Sequence, residues 1–243
     1  MHYARAPIAE VVIDVRGVTD AFDIAILTEL ASELEAVFPV QKPIQVVQVT
    51  IDTAAASPEE GTRRALSQAG YRLENTDGTR VLQIQEKSFI YSHLAPYSSW
   101  ATFKEETAPL LRKYISRLNI GTISRCAVRV VNKVSFPFSK IDIEDYFSIF
   151  PHSPEELGPL GAFHMKLRFA CDSAENSSVV VTFAGDNQWS KGDLTAILDI
   201  DIFSNEEFPY DEYKLWTKLN NFSLEKNRTF EACITDKLRA LIS

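Results

Sequence analysis

Cysteine is scarce in this chain, and its positions exclude the sites that cysteines usually build. The 243 residues include three cysteines, Cys126, Cys171 and Cys233, and no two of them form a Cys-x-x-Cys pair. An odd number of widely spaced cysteines indicates neither a disulfide framework nor a zinc site. We therefore expect three buried thiols in a reducing compartment.

Long apolar runs and glycine-rich loops are missing as well. No segment approaches the roughly 18 consecutive apolar residues of a membrane span, and the first residues lack the apolar core of a signal peptide. The nine glycines are scattered, and Gly158-Pro159-Leu160-Gly161 has a proline where a phosphate-binding loop needs an N–H donor. We expect a soluble, cytoplasmic protein without a cofactor.

Positive charge is in deficit. The chain carries 25 basic and 33 acidic residues, which gives a net charge of -8. A field of this sign repels phosphate backbones and anionic lipids. Nucleic acids and membranes are therefore disfavoured partners, and a protein partner is favoured.

Catalytic signatures are also absent from the sequence. It contains no Gly-x-Ser-x-Gly elbow and no reactive Cys-His pair, and His93, His152 and His164 lack the spacing of a zinc protease helix. These absences lower the expectation of an enzyme without excluding one, because catalytic groups can converge from distant positions. The sequence predicts no catalytic residue and no metal site.

The first half of the chain alternates between strand and helix patterns. Apolar side chains recur every second residue in strands and every three or four residues in helices. The chain is predicted to begin with a strand (Ala9–Val18), followed by a helix that Thr19 or Asp20 caps and that ends before Phe38. A second strand (Ile44–Asp52) and a loop or surface helix (Ala54–Gln68) come next. A hairpin then turns at Asn75–Gly78, with its second arm from Arg80 to Tyr91, and a helix starts at Ser99 that Pro109 kinks or divides.

The second half begins the same pattern again at Arg125. Its predicted order is a strand (Arg125–Phe136), a short helix (Ile141–Phe150), three strands (Phe163–Cys171, Val179–Ala184 and Leu194–Phe203) and a helical region from Tyr210. Each half is therefore predicted to run β-α-β-β-β-α.

Residue numbers support an internal duplication. Tyr97, Trp100 and Phe103 correspond to Tyr213, Trp216 and Leu219 at one constant offset, and the same offset relates Val12–Val15 to Val128–Val131. A period this long indicates a duplicated subdomain, because solenoid repeats run to about 20–50 residues. Both Tyr-x-x-Trp pairs are interpreted as core anchors.

We therefore predict an α+β fold in which halves 1–120 and 121–243 share one core. Largely antiparallel sheet is covered by long helices on one face and leaves charged side chains on the other. The layout resembles the duplicated saddle of TATA-binding proteins, although the acidic total argues against a DNA saddle.

Four motifs carry a resemblance to a protein family. They are Pro7-Ile8-Ala9-Glu10, Tyr97-x-x-Trp100-x-x-Phe103, Arg125-x-x-x-Arg129-Val130-Val131-Asn132 and the string from Phe230 to Arg239. In order and spacing they resemble an uncharacterised, sporadically distributed prokaryotic family of about this length. The resemblance implies no activity and no catalytic residue, and its patchy distribution is typical of accessory genes. A Leu-His pair common in that family is missing from Leu219–Leu224.

Charged residues on predicted strands form the candidate interaction face. Arg125, Arg129 and Lys133 share one side of their strand, with Lys166 and Arg168 on a strand interpreted as its neighbour. Asp199 and Asp201 leave one side of another strand, and Asp14 and Glu10 supply further balancing charge. The face is predicted either to receive a ligand or to be an internally neutralised solvent face.

The leading functional hypothesis is a noncatalytic binding module with a protein partner, in a defence or toxin-neutralising system. One alternative is a metal-assisted hydrolase centred on Asp199 and Asp201, since paired carboxylates can bind a divalent cation. Another is nucleic-acid binding through Arg125, Arg129 and Lys133.

Overall fold

In the part of the chain that the structure describes, one large antiparallel sheet and four α-helices make this an α+β protein. The computed structural model describes residues 3–19, 22–51, 62–136, 142–158, 162–171, 176–186 and 194–243. The strands of the described chain are β1 (Ile8–Val18), β2 (Val40–Ile51), β3 (Thr62–Glu74), β4 (Arg80–Gln85), β5 (Ser88–Leu94), β6 (Thr122–Phe136), β7 (Ala162–Ala170), β8 (Ser177–Asp186), β9 (Leu194–Ser204) and β10 (Phe208–Pro209). The helices are α1 (Ile24–Glu33), α2 (Trp100–Arg117), α3 (Glu212–Cys233) and α4 (Asp236–Ile242), and two 3-10 turns span Ile143–Asp145 and Glu155–Leu157.

The strand order places β1 and β6 side by side in the middle of the sheet. Across the sheet the order is β2-β3-β4-β5-β1-β6-β9-β8-β7, and the short β10 pairs with the start of β6. Every pairing is antiparallel. On either side of the β1–β6 pair the strands follow in descending order of sequence, which leaves β2 and β7 at the two edges.

Alternating side chains divide the central strands into a buried side and a charged side. Side chains of β1, β6 and β9 that pack into the hydrophobic core are nearly inaccessible: Val11, Ile13, Val15, Val128, Val130, Leu198, Ile200 and Ile202. The residues between them point the other way, because successive strand side chains leave opposite sides. These intervening positions include the charged residues that the sequence singles out.

The helices contribute apolar stripes to the same core. Buried side chains recur at helical spacing in all three longer helices: Leu27 and Leu30 in α1, Phe103, Leu111 and Tyr114 in α2, and Leu215, Leu219 and Phe222 in α3. Helix α1 contacts β3, α2 contacts β5, and α3 contacts β6 and β9. Burial of these stripes against the strands is the main stabilisation of each helix.

A partly buried polar contact fixes α2 against the strands. The guanidinium of Arg80 on β4 donates two hydrogen bonds to the carboxylate of Glu106 on α2, from Nε at 2.9 Å and from Nη2 at 3.0 Å. The hydroxyl of Tyr91 on β5 donates to the same carboxylate at 3.2 Å. Bidentate arginine–carboxylate pairs restrict geometry as well as add energy, so this contact sets how α2 lies on its strands.

The first helix begins later than its sequence pattern predicts. Its N-cap is Asp23, whose carboxylate accepts from the backbone N–H of Ala25 at 2.9 Å. Thr19 instead donates its hydroxyl proton to the carbonyl of Leu118, and Asp20 lies outside the described residues. The cap prediction was therefore wrong for Thr19, because that side chain is engaged by the end of α2.

The hairpin region contains one more strand than predicted. Gly78 occupies the predicted turn with φ of 71°, a conformation that favours glycine. The segment Arg80–Tyr91, however, is divided by a turn at Glu86 and Lys87 into β4 and β5. The described residues of the first half thus run β-α-β-β-β-β-α.

Two helical predictions and one loop prediction also need correction. The described part of Ile141–Phe150 forms only the 3-10 turn at Ile143–Asp145. Residues 62–68 of the predicted loop or surface helix belong to β3, and residues 54–61 lie outside the described residues. Helix α2 follows Ser99, as predicted, and continues through Pro109 as one segment, so Pro109 does not begin a second helix.

The proposed residue correspondence between the two central strands was wrong in register. In the β1–β6 pairing Val12 lies opposite Arg129, whereas Val128 lies opposite Ile13. Val12 and Val128 therefore point to opposite sides of the sheet, although corresponding residues of a repeated strand would share a side. Tyr213 is also 83% exposed, so it is not the core anchor that its Tyr-x-x-Trp pattern indicates.

Two simpler expectations can be compared directly with the structure. All three cysteines are free and buried, as predicted. Within the described ranges, no helix combines the length and the apolar character that crossing a membrane requires.

Candidate functional site

The charged side of the sheet around β6 forms one continuous surface, which we call the ionic face. The strand register places its members on the same side of the sheet. Ala127 lies opposite Asp14 on β1, Arg129 lies opposite Asp201 on β9, and Thr182 on β8 lies between Asp199 and Lys166. The ionic face consists of Glu10, Asp14, Arg16, Arg125, Arg129, Lys133, Lys166, Arg168, Asp199 and Asp201. The prediction that the charged residues of β6 share a side is confirmed.

Arg125 links three strands at the centre of the ionic face. Its Nε donates to Asp14 Oδ2 on β1 at 3.0 Å, and its Nη2 donates to Asp201 Oδ2 on β9 at 3.3 Å. Its guanidinium carbon also lies 4.3 Å from the ring centroid of Phe203, within cation–π range. Because the Arg125 side chain is only 17% exposed, these contacts hold it rigidly between β1 and β9.

Arg129 makes a more exposed pair with the second β9 carboxylate. Its Nε and Nη2 donate to the two carboxylate oxygens of Asp199 at 2.8 Å and 2.7 Å. The Arg129 side chain is 48% exposed, so water screens this pair more than the one at Arg125. Bidentate geometry orients both side chains along the sheet surface.

The two aspartates of β9 are occupied as ion-pair partners. Asp199 and Asp201 leave one side of β9, as predicted. Burial raises the pKa of Asp201, and the positive charges of Arg125 and Arg129 oppose that rise. Among the residues that the structure describes, no group of three or more His, Cys, Asp or Glu side chains is placed to hold a metal ion. The geometry of this pair is that of an ion-pair network.

Lys166 and Arg168 lie farther from Arg125 than predicted. They are on β7 at the sheet edge, and β9 and β8 separate β7 from β6, so the prediction of a neighbouring strand was wrong. Arg168 nevertheless reaches inward. Its Nε and Nη2 lie 3.2 Å and 3.0 Å from Ser178 Oγ, and its guanidinium carbon lies 5.3 Å from the Phe203 ring centroid. Phe203 therefore lies beneath both Arg125 and Arg168.

Three cations of the ionic face have no carboxylate partner in the described part of the chain. Lys133, Lys166 and Arg168 are exposed, and no ion pair involves any of them there. By contrast, Arg16 pairs with Asp14. The ionic face therefore combines a neutralised centre with exposed cations for which the structure describes no carboxylate partner.

A second feature, a cavity of about 640 Å³, lies away from the ionic face. It is bounded by the N-terminal segment, the start of α2, the middle of β6 and the second half of α3. Its walls include Tyr3, Tyr97, Trp100, Asn132, Lys226 and Phe230. Aromatic walls with a few polar groups are typical of small-molecule sites.

Lys226, a buried lysine, is one of the residues that line this cavity. The residue is 5% exposed, and its Nζ donates to Asn227 Oδ1 at 2.7 Å. No carboxylate of the described residues forms an ion pair with it. Burial lowers the pKa of Lys226 to about 8, because desolvation penalises the charged form.

The cavity carboxylate, Glu231, is already neutralised by other groups. Its oxygens accept from the hydroxyl of Tyr3 at 2.7 Å and from Nε of Arg239 at 2.9 Å. Burial alone would raise the pKa of Glu231, but these hydrogen bonds outweigh burial and lower it. Glu231 is therefore held toward Arg239.

Sequence reasoning missed the cavity and its lysine. Lys226 falls four residues after Phe222, on the same buried stripe of α3 as Leu219. The signal that could have identified Lys226 is a lysine on the apolar stripe of a helix, because lysine is almost never fully buried without a partner. The cavity also needs the N-terminal segment and β6, whose meeting with α3 no local pattern indicates.

A scan against protein-family models and a search of curated proteins both find no match to this chain. The resemblance to a sporadic prokaryotic family therefore stays a prediction.

Proposed function

We propose that this protein is a noncatalytic binding module whose ionic face captures an acidic segment of a partner protein. The observation that carries the proposal is the set of Lys133, Lys166 and Arg168, exposed on one side of the sheet and without a carboxylate partner in the described chain. Complementary charge steers association and selects partners.

The local charge of the ionic face supports an acidic partner. The face carries six cations and four carboxylates, whereas the whole chain has a net charge of -8. An acidic segment would find its attraction confined to this surface and would be repelled elsewhere. The paired centre around Arg125 needs no rearrangement on binding, which limits the entropy cost of association.

Charge reversal of the unpaired cations tests the proposal. The triple variant Lys133→Glu, Lys166→Glu, Arg168→Glu leaves the ion pairs of Arg125 and Arg129 intact. A fluorescein-labelled polyglutamate peptide, followed by fluorescence anisotropy at low salt, should bind the wild type and lose at least about tenfold in affinity with the triple variant. A polyglutamine peptide should bind neither protein.

The matched control changes net charge equally at other positions. The variant Lys87→Glu, Lys214→Glu, Lys237→Glu alters cations outside the ionic face and should keep most of the polyglutamate affinity. Equal losses in both triple variants would contradict a localised site. Tighter binding of a single-stranded oligonucleotide than of polyglutamate, abolished by the first variant, would instead identify the face as a nucleic-acid site.

We also propose that the two halves, 1–120 and 121–243, descend from a duplicated unit whose helices cover one face of the sheet. The descending strand order on each side of the β1–β6 pair and the return of each half through a long helix support this proposal. Because Val12 and Val128 point to opposite sides of the sheet, the residues of β1 and β6 that correspond to each other cannot be related by the same numbering offset as Trp100 and Trp216 in the helices. Superposition of β1, β5, β4 and α2 on β6, β9, β8 and α3 in a crystal structure would test it, and failure to superpose would contradict it.

A further inference from the structure

We propose that the cavity at Lys226 binds a small monocarboxylic acid with an aromatic body, whose carboxylate pairs with the Lys226 ammonium. This site is independent of the ionic face, so the two proposals can fail separately. Three observations carry the inference: the buried ammonium, the aromatic walls and the groups that surround the lysine.

Lys226 lines the cavity, and its ammonium has one neutral hydrogen-bond acceptor among the described residues. Its partner is the side-chain oxygen of Asn227 at 2.7 Å, and Lys226 is only 5% exposed. An ammonium has three donors, and burying its charge without a counter-ion is costly. A ligand carboxylate would supply the counter-ion and accept the remaining protons.

The remaining walls fit an aromatic body. Trp100 and Phe230 line the cavity, and Trp100 is held by a hydrogen bond from its Nε1 to Asn220 Oδ1 at 2.9 Å. A volume of about 640 Å³ is within the range of pockets that hold small organic ligands. Rigid aromatic walls favour offset or edge contacts with a ligand ring.

The charged neighbours of Lys226 favour a single negative charge on the ligand. Around the cavity the titratable groups are Tyr3 from the N-terminal segment, Tyr97 before α2, and Arg228 and Glu231 from α3, while β6 contributes Val130 and Asn132. Arg228 is exposed and pairs with Glu225, and Glu231 keeps a negative charge beside Arg239. The single buried cation, Lys226, can balance one negative charge, whereas a phosphate dianion would bring a second charge without a buried partner, so a monocarboxylate is preferred.

Binding of 2-naphthoate, compared with its neutral isostere 2-naphthamide, tests the proposal. Isothermal titration calorimetry at about pH 7, below the Lys226 pKa of about 8, should give at least about tenfold tighter binding of the acid than of the amide. At about pH 9.5 this preference should fall, because the neutral amine no longer attracts the carboxylate.

Two lysine variants on α3 complete the experiment. Lys226→Met keeps the length of the side chain and should abolish the preference for 2-naphthoate, whereas Lys214→Met, exposed at the other end of α3, should leave it unchanged. Far-UV circular dichroism verifies that both variants fold. The proposal is overturned if 2-naphthoate does not bind, if both compounds bind equally, or if folded Lys226→Met keeps the preference.

Discussion

Lys226 shows how one side chain can combine an energetic cost with a capacity to bind. Its position on the buried stripe of α3 would suit methionine or leucine, since Leu219 and Phe222 occupy the same stripe fully buried. The ammonium there is compensated by Asn227 alone among the described residues. A group that is costly to the free protein and useful to a ligand is typical of binding sites, where stability is given up for function.

Lys226→Met should raise the free energy of unfolding by about 1–3 kcal/mol at about pH 7, because it removes a buried charge that lacks a carboxylate partner. The folded pKa of about 8 lies below the ordinary value of 10.5. As pH rises between these values the folded lysine loses its proton before the unfolded one, so the wild type gains stability with pH.

The advantage of Lys226→Met should therefore be greatest below pH 8 and shrink as pH rises through 10.5, above which the lysine is neutral in both the folded and the unfolded wild type. Urea unfolding across this range measures the difference. Lys214→Met serves as the control and should show no such trend. A constant advantage at every pH would show that the gain comes from packing and not from charge.

At the residue scale the sequence predicts which side of the sheet a side chain faces better than it predicts the ion-pair partner of that side chain. Period-two spacing places Asp199 and Asp201 on one side and Leu198, Ile200 and Ile202 on the other, and the structure agrees. It does not predict that Arg125 bridges Asp14 and Asp201, because those residues lie far apart in sequence and meet only through strand order. Side preference is local, whereas partners depend on topology.

Helix α2 shows how tertiary packing overrides a local signal. Pro109 cannot donate a backbone hydrogen bond and is disfavoured inside a helix, yet α2 runs uninterrupted from Trp100 to Arg117. The buried stripe of Phe103, Leu111 and Tyr114 and the pair between Glu106 and Arg80 continue on both sides of the proline. Packing of that stripe offsets the missing bond.

The prediction at the element scale follows from this cost. Pro109→Ala should raise the free energy of unfolding by about 1–2 kcal/mol, because the alanine N–H can donate within the helix and the gain exceeds the added freedom of the unfolded chain. Thermal unfolding measures it. Glu105→Ala, an exposed position on the same helix, should change stability by less than about 0.5 kcal/mol. An unchanged or lower midpoint for Pro109→Ala would mean that α2 needs the proline geometry.

Elements with strong chemical signals are predicted well, and those that depend on neighbours are not. Ser99 and the Asp77-Gly78 turn are found where the sequence places them. The turn at Glu86 and Lys87 lacks glycine, proline and asparagine, so the alternation of β4 continues without a visible break into β5. The extent of β3 is likewise set by pairing with β2 along its whole length.

At the scale of the whole molecule the β1–β6 pairing joins the two halves into one sheet. Strand order across a sheet depends on which strands meet after the chain returns, so period-two patterns cannot predict it. The pairing extends along most of both strands, and Arg125 adds an ion pair from β6 to Asp14 on β1. A hydrogen bond between Trp100 and Asn220 joins α2 to α3 as well.

Because backbone pairing, a central ion pair and a helix–helix contact all cross between the halves, we expect them to unfold together. Neither half can lose its central strand pairing without exposing the core face of the other, which makes partial unfolding costly. Two single-tryptophan variants report on the halves separately: Trp189→Phe with Trp216→Phe retains Trp100, and Trp100→Phe with Trp189→Phe retains Trp216. In urea the fluorescence midpoint of each variant should coincide with its own far-UV circular dichroism midpoint. Fluorescence of Trp100 that changes at lower urea than the circular dichroism of the same variant would show that residues 1–120 open first, and the proposal of one cooperative unit would then be wrong.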